Sequence, residues 1–291
     1  MDHPNARSLH VMPIPCIGGL GMMAGILVAA ALLAEIALVP MMLAAFALTA
    51  VSVLDDVRGL PVALRFVSHL VAALGCMLAL GLDDWTLLLA TLAVVWMTNL
   101  YNFMDGSDGL AGGMAAIGFG AMGLAAWLSN APELAAFCVS IAAAALAFLR
   151  FNFPPARIFM GDAGSIPLGF LAASLGILGA RQNVWPYLFP LLVFSPFIID
   201  ASVTLARRGL RGEKIWLAHR SHYYQRAVLL GASQRQLALA AYTLMFAGAM
   251  LAFTLRVLPQ HAAWLLALLA TTYLLIFLAI DRRWHRAGNE H

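Results

Sequence analysis

Charge is scarce in this chain: 11% of its 291 residues are Asp, Glu, Lys or Arg, against about 25% in an ordinary soluble domain. So few charges cannot cover a water-facing globular surface, which excludes a soluble fold. The net charge of +3 is too small to suggest a nucleic-acid partner. Cysteine is almost absent, and Cys16, Cys76 and Cys138 show neither CxxC nor Cys/His spacing, which leaves no disulfide framework and no zinc site. The first 17 residues carry Asp2, His3, Arg7 and His10 and lack an apolar core, so no cleavable leader is expected. Periodic repeats and low-complexity tails are also missing. The chain reads as one integral domain over 1–291, with an N-terminal segment 1–17, a loop 206–235 and a tail 281–291.

What is present is apolar residues, 63% of the chain. They gather in runs near the roughly 20 residues that cross a hydrocarbon core of about 30 Å. The alternation of a membrane barrel is absent, so the runs are helices. Ten spans are expected, at 18–39, 41–54, 64–81, 85–103, 110–128, 133–150, 165–180, 184–205, 236–257 and 261–280. The second is the weakest, short enough to be re-entrant. The apolar stretch before Asp55 is nevertheless too long for one crossing, and Pro40 offers a turn.

Alternating these spans from a cytoplasmic N-terminus puts all but two of the 17 Lys and Arg residues on the cytoplasmic side, as the positive-inside rule requires. The exceptions are Arg181 and Arg256. Arg207, Arg208, Arg211, Lys214, Arg220, Arg226 and Arg235 share one loop, readable as a topology signal that also attracts anionic headgroups.

The acids were not used to set this orientation, yet six of them, Asp55, Asp56, Asp105, Asp108, Asp162 and Asp200, cluster on the same side. Asp55 and Asp56 lie in LDDVRG, where adjacent carboxylates call for a cation or a proton and one is open to serving as a general base. A plain N-cap for the next helix is the alternative. In NLYNFMDGSDG, Asn99, Asn102 and Asp105 are spaced by three on one helix face. The two Asp-Gly steps there, the second at Asp108, make a tight turn whose amides can meet phosphate. A third segment, 150–165, holds two prolines, Asn152, Phe159 and then Gly161-Asp162 at a helix start. Oxygen ligands of this kind suit Mg²⁺, which keeps waters and substrate phosphate in its shell. HRSHYYQR adds His219, Arg220 and His222, able to neutralise a diphosphate or, alternatively, to snorkel at the surface. His69 reads as a helix-packing histidine. Asp83 and Asp84 read as tolerated loop acids, and Asp200 is set aside from the site.

Taken in order, the aspartate pair, the segment 99–113, the stretch FNFPPARIFMGDAGSIPLG over 151–169 and HRSHYYQR resemble the polyprenyl-phosphate N-acetylhexosamine-1-phosphate transferase superfamily (MraY/WecA type, glycosyltransferase family 4). The histidine segment is similar to that of bacterial members that start O-antigen or other surface polysaccharides, rather than to the MraY branch with three consecutive histidines. The resemblance implies an all-α enzyme of the bacterial inner membrane with its site facing the cytoplasm. It also implies transfer of N-acetylhexosamine-1-phosphate from a UDP-sugar to undecaprenyl phosphate, releasing UMP. Mg²⁺ is the implied cofactor, with Mn²⁺ a compatible substitute; membrane lipids are implied partners, and the resemblance leaves room for a homodimer.

Carried over by position, Asp162 and Asn102 are implied metal ligands, and Asp55 and Asp56 the pair that handles the lipid phosphate, as base or as positioning groups. A covalent intermediate on an aspartate stays open. Asn99, Asp105, Asp108, Asn152 and Phe159 are implied to form the nucleotide-sugar site, with Phe159 packing near uracil and Asn152 ordering the metal loop. His219, Arg220 and His222 are implied diphosphate contacts. Two departures accompany the match: the family pattern has one more helix ahead of the segment at 2–19, and Cys16 stands where a basic residue is common. Three rivals remain: an MraY-like phospho-MurNAc-pentapeptide transferase, a CDP-alcohol phosphotransferase, whose pattern needs an Arg where 111–113 reads AGG, and a cation-coupled transporter, which would carry acids near the midplane.

Overall fold

A computed structural model describes residues 13–33, 35–214 and 219–288. The expectations for 1–12, for 215–218 of the loop and for 289–291 of the tail lie outside the described residues. The fold is all-α, with no β-strand among the described residues. In order the helices are α1 (Gly18–Leu33), α2 (Val39–Arg58), α3 (Val62–Ala79), α4 (Asp84–Met104), α5 (Leu110–Leu128), α6 (Pro132–Asn152), α7 (Asp162–Arg181), α8 (Leu188–Val193), α9 (Ser195–Leu210), α10 (Tyr223–Leu229), α11 (Gln234–Val257) and α12 (Ala262–Gly288). Eight helices of the described chain are long and apolar enough to cross a membrane, and the chain is a multi-pass membrane protein.

The second expected span, the weakest in sequence, is long and apolar enough for a full crossing: with the 3-10 turn before it, it runs Ile36–Arg58 at mean hydropathy 2.3. Pro40 does not make the turn. It sits in the first turn of α2, where a missing N–H costs nothing, and the reversal is made at Glu35, whose Oε1 accepts the Ala37 N–H at 3.4 Å. The first span is correspondingly short, 16 residues. The eighth is broken at Phe194, between α8 and α9, where Pro196 lies in the first turn of α9 and cannot extend α8's hydrogen bonding. Phe194 fills the break by packing edge-on against Phe119, ring centroids 5.7 Å apart.

Helix α7 is the axis of the bundle: 89% of its apolar window is buried inside the protein, against 11% for α12 and 22% for α3. It packs on α1, α2 and α4. Without a hydrophobic force between helices in lipid, such contacts depend on small residues that let backbones approach. Gly19 of α1 and Gly164 of α7 do this directly.

The two ends of the bundle differ. At one end the connections 59–61, 105–109, 153–161 and the described parts 211–214 and 219–222 gather, with Asp55, Asp56, Asp105, Asp108 and Asp162. At the other end are the two arginines that charge counting put alone. Arg256 donates to the Ala125 carbonyl at 3.0 Å and Arg181 to the Gly81 carbonyl at 3.3 Å, both at helix C-terminal ends where a cation is favoured.

Replacing Gly164 by Ala puts a Cβ 2.5 Å from Gly19 Cα, backbone that cannot yield, so overpacking of about 1–3 kcal/mol is expected. Thermal melting in detergent should drop for Gly164→Ala and hold for Gly75→Ala, whose Cβ meets nothing within 4 Å.

Candidate active site

The site is built where α2, α4 and α7 present their polar ends. Asp162 is the first residue of α7, after Gly161 at φ 72°, a left-handed turn that glycine adopts freely. A carboxylate in the first turn complements the helix dipole. The Asn102 carboxamide hydrogen-bonds Asp162, and Ser165 Oγ donates to Asn102 Oδ1 at 2.7 Å. Asp105, capping the C-terminus of α4, comes from the neighbouring loop and accepts the Gly161 N–H. Burial, together with the adjacent Asp162 charge, raises the Asp105 pKa from 3.8 to about 7. Two carboxylates, one just after α4 and one opening α7, therefore lie within charge–charge range at the end of an apolar bundle.

Asp55 and Asp56 lie within charge–charge range of Asp162 but differ from each other. Asp55 is tied down: Oδ1 accepts the Leu60 N–H at 2.7 Å and Oδ2 pairs with Arg65 at 2.9 Å. Asp56 is exposed. The N-cap alternative does not describe the pair, since α3 is capped at Pro61; Asp55 instead closes the turn that precedes it.

The two loops are clasped by side chains that bond backbone. Asn152, 4% exposed, accepts the Gly109 N–H at 2.9 Å and donates to the Ile158 carbonyl at 3.0 Å. Asp108 Oδ2 accepts the Ala156 N–H at 2.9 Å. Tyr242 of α11 donates to the Gly109 carbonyl at 2.8 Å. Phe159, half-buried, is fixed by its backbone, which bonds Pro15 at 2.8 Å and Gly18 at 2.9 Å. Asn99 is not with this group. It lies a turn deeper in α4, donates to the Val95 carbonyl at 2.7 Å and hydrogen-bonds His69, so its polar face serves helix packing.

The histidine segment folds over the second loop. Tyr224 Oη donates to the Phe103 carbonyl at 3.1 Å, and a side chain at Gly106 would strike that hydroxyl, 2.2 Å from a Cβ. The rings of His219 and His222 lie 4.8 Å apart, and His222 sits 6.3 Å from Phe103. Burial, then the nearby His222 and Arg208, pushes the His219 pKa down to about 4. At neutral pH His219 is thus a hydrogen-bonding group rather than a point charge. Arg220, exposed, is the solvent-facing cation of this segment, Arg226 being paired with Asp281.

Sequence reasoning passed over two residues. Arg65 partners Asp55, and its signal was a lone cation in the first turns of an apolar helix. Asp200 is buried in α9, accepting the Tyr223 and Tyr224 N–H groups at 2.9 and 3.0 Å; its signal was an acid inside an apolar span.

The donor set fits a hard cation. Among the described residues no three His, Cys, Asp or Glu side chains gather as a protein cage. Asp162, Asp105 and Asn102 offer only oxygens that could ligate a metal, and Mg²⁺ needs one or two carboxylates, completing its shell with water and phosphate.

A family model described as glycosyl transferase family 4 matches residues 38–180, a stretch holding all these acids except Asp200. The chain is 30% identical over 301 aligned residues to a probable undecaprenyl-phosphate N-acetylglucosaminyl 1-phosphate transferase of Bacillus subtilis (strain 168), covering 96% of this chain and 83% of the relative. It is 29% identical over 316 to an undecaprenyl-phosphate alpha-N-acetylglucosaminyl 1-phosphate transferase of Yersinia pestis, covering 99% and 86%. A phospho-N-acetylmuramoyl-pentapeptide-transferase of Levilactobacillus brevis is 37% identical over 146, covering 49% of this chain and 44% of that one.

A carboxyl whose pKa is higher folded than unfolded binds a proton on folding, so its contribution to stability falls as pH rises from its ordinary value towards its raised one. With chelator present, the melting midpoint in detergent should fall as pH rises from about 4 to about 7 and level off above that because of Asp105, whose pKa is raised from 3.8 to about 7. Asp105→Asn should flatten that slope.

Proposed function

From the premise that the chain belongs to glycosyl transferase family 4, we propose that it transfers N-acetylhexosamine-1-phosphate from a UDP-sugar to undecaprenyl phosphate. The proposed setting is the cytoplasmic face of the bacterial inner membrane, with Mg²⁺ required. The observation that carries this is that Asp105 and Asp162, two acids far apart in sequence, lie within charge–charge range of each other at a bundle end where a soluble nucleotide-sugar and a lipid phosphate can both arrive. Relatives named as N-acetylglucosaminyl 1-phosphate transferases align along nearly the whole chain, whereas the muramoyl-pentapeptide relative aligns along about half, which favours the first class. A surface-polysaccharide role follows from the form of HRSHYYQR.

In the reaction a phosphate oxygen of undecaprenyl phosphate bonds to the sugar-bearing phosphorus. The bond from that phosphorus to the UMP oxygen breaks, and UMP leaves with the electron pair. Asp162, Asn102 and Asp105 would hold Mg²⁺, which when bound offsets the charge growing on the phosphoryl oxygens. Asp55, with both oxygens engaged by Leu60 and Arg65, keeps the α2–α3 turn and its arginine in register rather than acting as a nucleophile. Asp56, exposed beside it, positions the incoming phosphate monoester, which is already largely ionised at neutral pH. His219, Arg220 and His222 contact the diphosphate, and Phe159 with the clasped loops bounds the nucleotide.

Purified protein given undecaprenyl phosphate, Mg²⁺ and a panel of UDP-sugars should release UMP with a UDP-N-acetylhexosamine. Asp162→Ala should lower the rate by about 10³-fold or more. No UMP from any sugar, or full activity in Asp162→Ala, would overturn the proposal.

A further inference from the structure

A histidine that contacts a diphosphate can do so as a cation, as a base or as a neutral N–H donor, and the state of its two ring nitrogens decides which. For His219 one nitrogen is accounted for. The Ser221 N–H donates to His219 Nδ1 at 3.3 Å, and a backbone amide can only donate. Nδ1 therefore presents a lone pair. The Ser221 hydroxyl lies 2.8 Å from the same nitrogen, and its direction is settled from the other side. Arg208 of α9, whose guanidinium has donors alone, reaches Ser221 Oγ at 3.3 Å. The oxygen accepts there, and its own hydrogen turns to the ring.

Arg208 is itself held in place. Its side chain is 11% exposed and pairs with Glu213 at 3.3 Å, and it donates to the Lys214 carbonyl at 3.2 Å. One arginine thus ties both described parts of the connection after α9 back to that helix. Donation runs from Arg208 to Ser221 to His219, and with Nδ1 taken as an acceptor the ring's hydrogen is on Nε2. Serine often bonds a near neighbour merely to order a turn. Here, however, an arginine from a helix aims the hydroxyl, and the ring that receives it packs 4.8 Å from His222. The charges of His222 and Arg208 also oppose a second ring proton, against the pull of Asp200.

We infer that Ser221 is a positioning residue for His219: its amide and hydroxyl hold Nδ1 as an acceptor, so that His219 offers the substrate diphosphate a neutral N–H donor at Nε2. This inference rests on the proposed transferase reading. Ser221 touches no substrate; it acts through His219. The segment then divides its work, with Arg220 supplying charge and His219 a hydrogen bond of fixed direction.

The test joins ¹⁵N-histidine NMR to kinetics on the full chain in detergent. At about pH 5.5 an ordinary histidine is mostly protonated. The His219 ring, identified by its absence in His219→Ala, should there be neutral with hydrogen on Nε2 alone. Hydrogen on Nδ1, in a neutral or a charged ring, would overturn the inference. In UMP release, His219→Ala should lower kcat by about 100-fold and Ser221→Ala by about tenfold. Residues acting as a unit give non-additive losses, so the double should lie within about threefold of His219→Ala. Ser221→Thr, which keeps both the amide and the hydroxyl, should recover most of the Ser221→Ala loss. Wild-type kcat in Ser221→Ala, losses that multiply in the double, or a Ser221→Thr as impaired as Ser221→Ala would overturn the inference while leaving the transferase reading intact. A wild-type protein that releases no UMP overturns both.

Discussion

Asp105 and Asp162 are two carboxylates at the end of the bundle within charge–charge range of each other, with Asp55, Asp56 and Arg65 in range of Asp162, and their repulsion sets the terms for the residues around them. Like charges at short range in a poorly solvated setting cannot both stay ionised without compensation. The fold supplies part of it: the Gly161 amide to Asp105, the Asn102 carboxamide to Asp162, the start of α7, and Arg65 held nearby by Asp55. The compensation is incomplete, as the raised Asp105 pKa records, and a divalent cation would complete it.

Holding two loops in that opposition requires stiffness where loops are ordinarily loose. Here it comes from side chains that substitute for secondary structure. Asn152 bridges Gly109 and Ile158, Asp108 reaches Ala156, and Tyr242 and Tyr224 bring α11 and α10 down onto the second loop. Several residues expected to touch nucleotide-sugar thus have buried hydrogen bonds of their own, and their contribution to chemistry is the shape they enforce. Preorganised polar groups of this kind do not have to reorient as charge develops, which is the largest source of catalysis in phosphoryl transfer.

Much of this was legible because acids are so rare in the chain that their clustering carries information. The positions of Asp55, Asp105 and Asp162 at one end followed from Lys and Arg placement alone, and the structure gathers them there. What was not legible depended on partners distant in sequence. Asn99 shares its spacing with Asn102 and Asp105, and spacing cannot reveal that the first of the three faces His69 across the α3–α4 interface. Asp200 looked dispensable because its partners are backbone amides of a loop 23 residues on. Arg65 was indistinguishable from a topology charge until Asp55 was seen against it. The second span reads short in the sequence because Pro40 can mark a turn, whereas in the fold it sits in the first turn of α2, where proline begins a helix. The eighth looked continuous because hydropathy does not register a break filled by a phenylalanine.

The central claim is that Asp105 and Asp162 form one cation site with Asn102. Mn²⁺, which takes the same oxygen ligands as Mg²⁺, allows a direct measurement by electron paramagnetic resonance on the purified protein. The expected result is one bound ion per chain, with affinity falling by about tenfold or more in Asp105→Asn and in Asp162→Asn and unchanged in Asp83→Asn. Equal affinity in all four proteins would contradict the account.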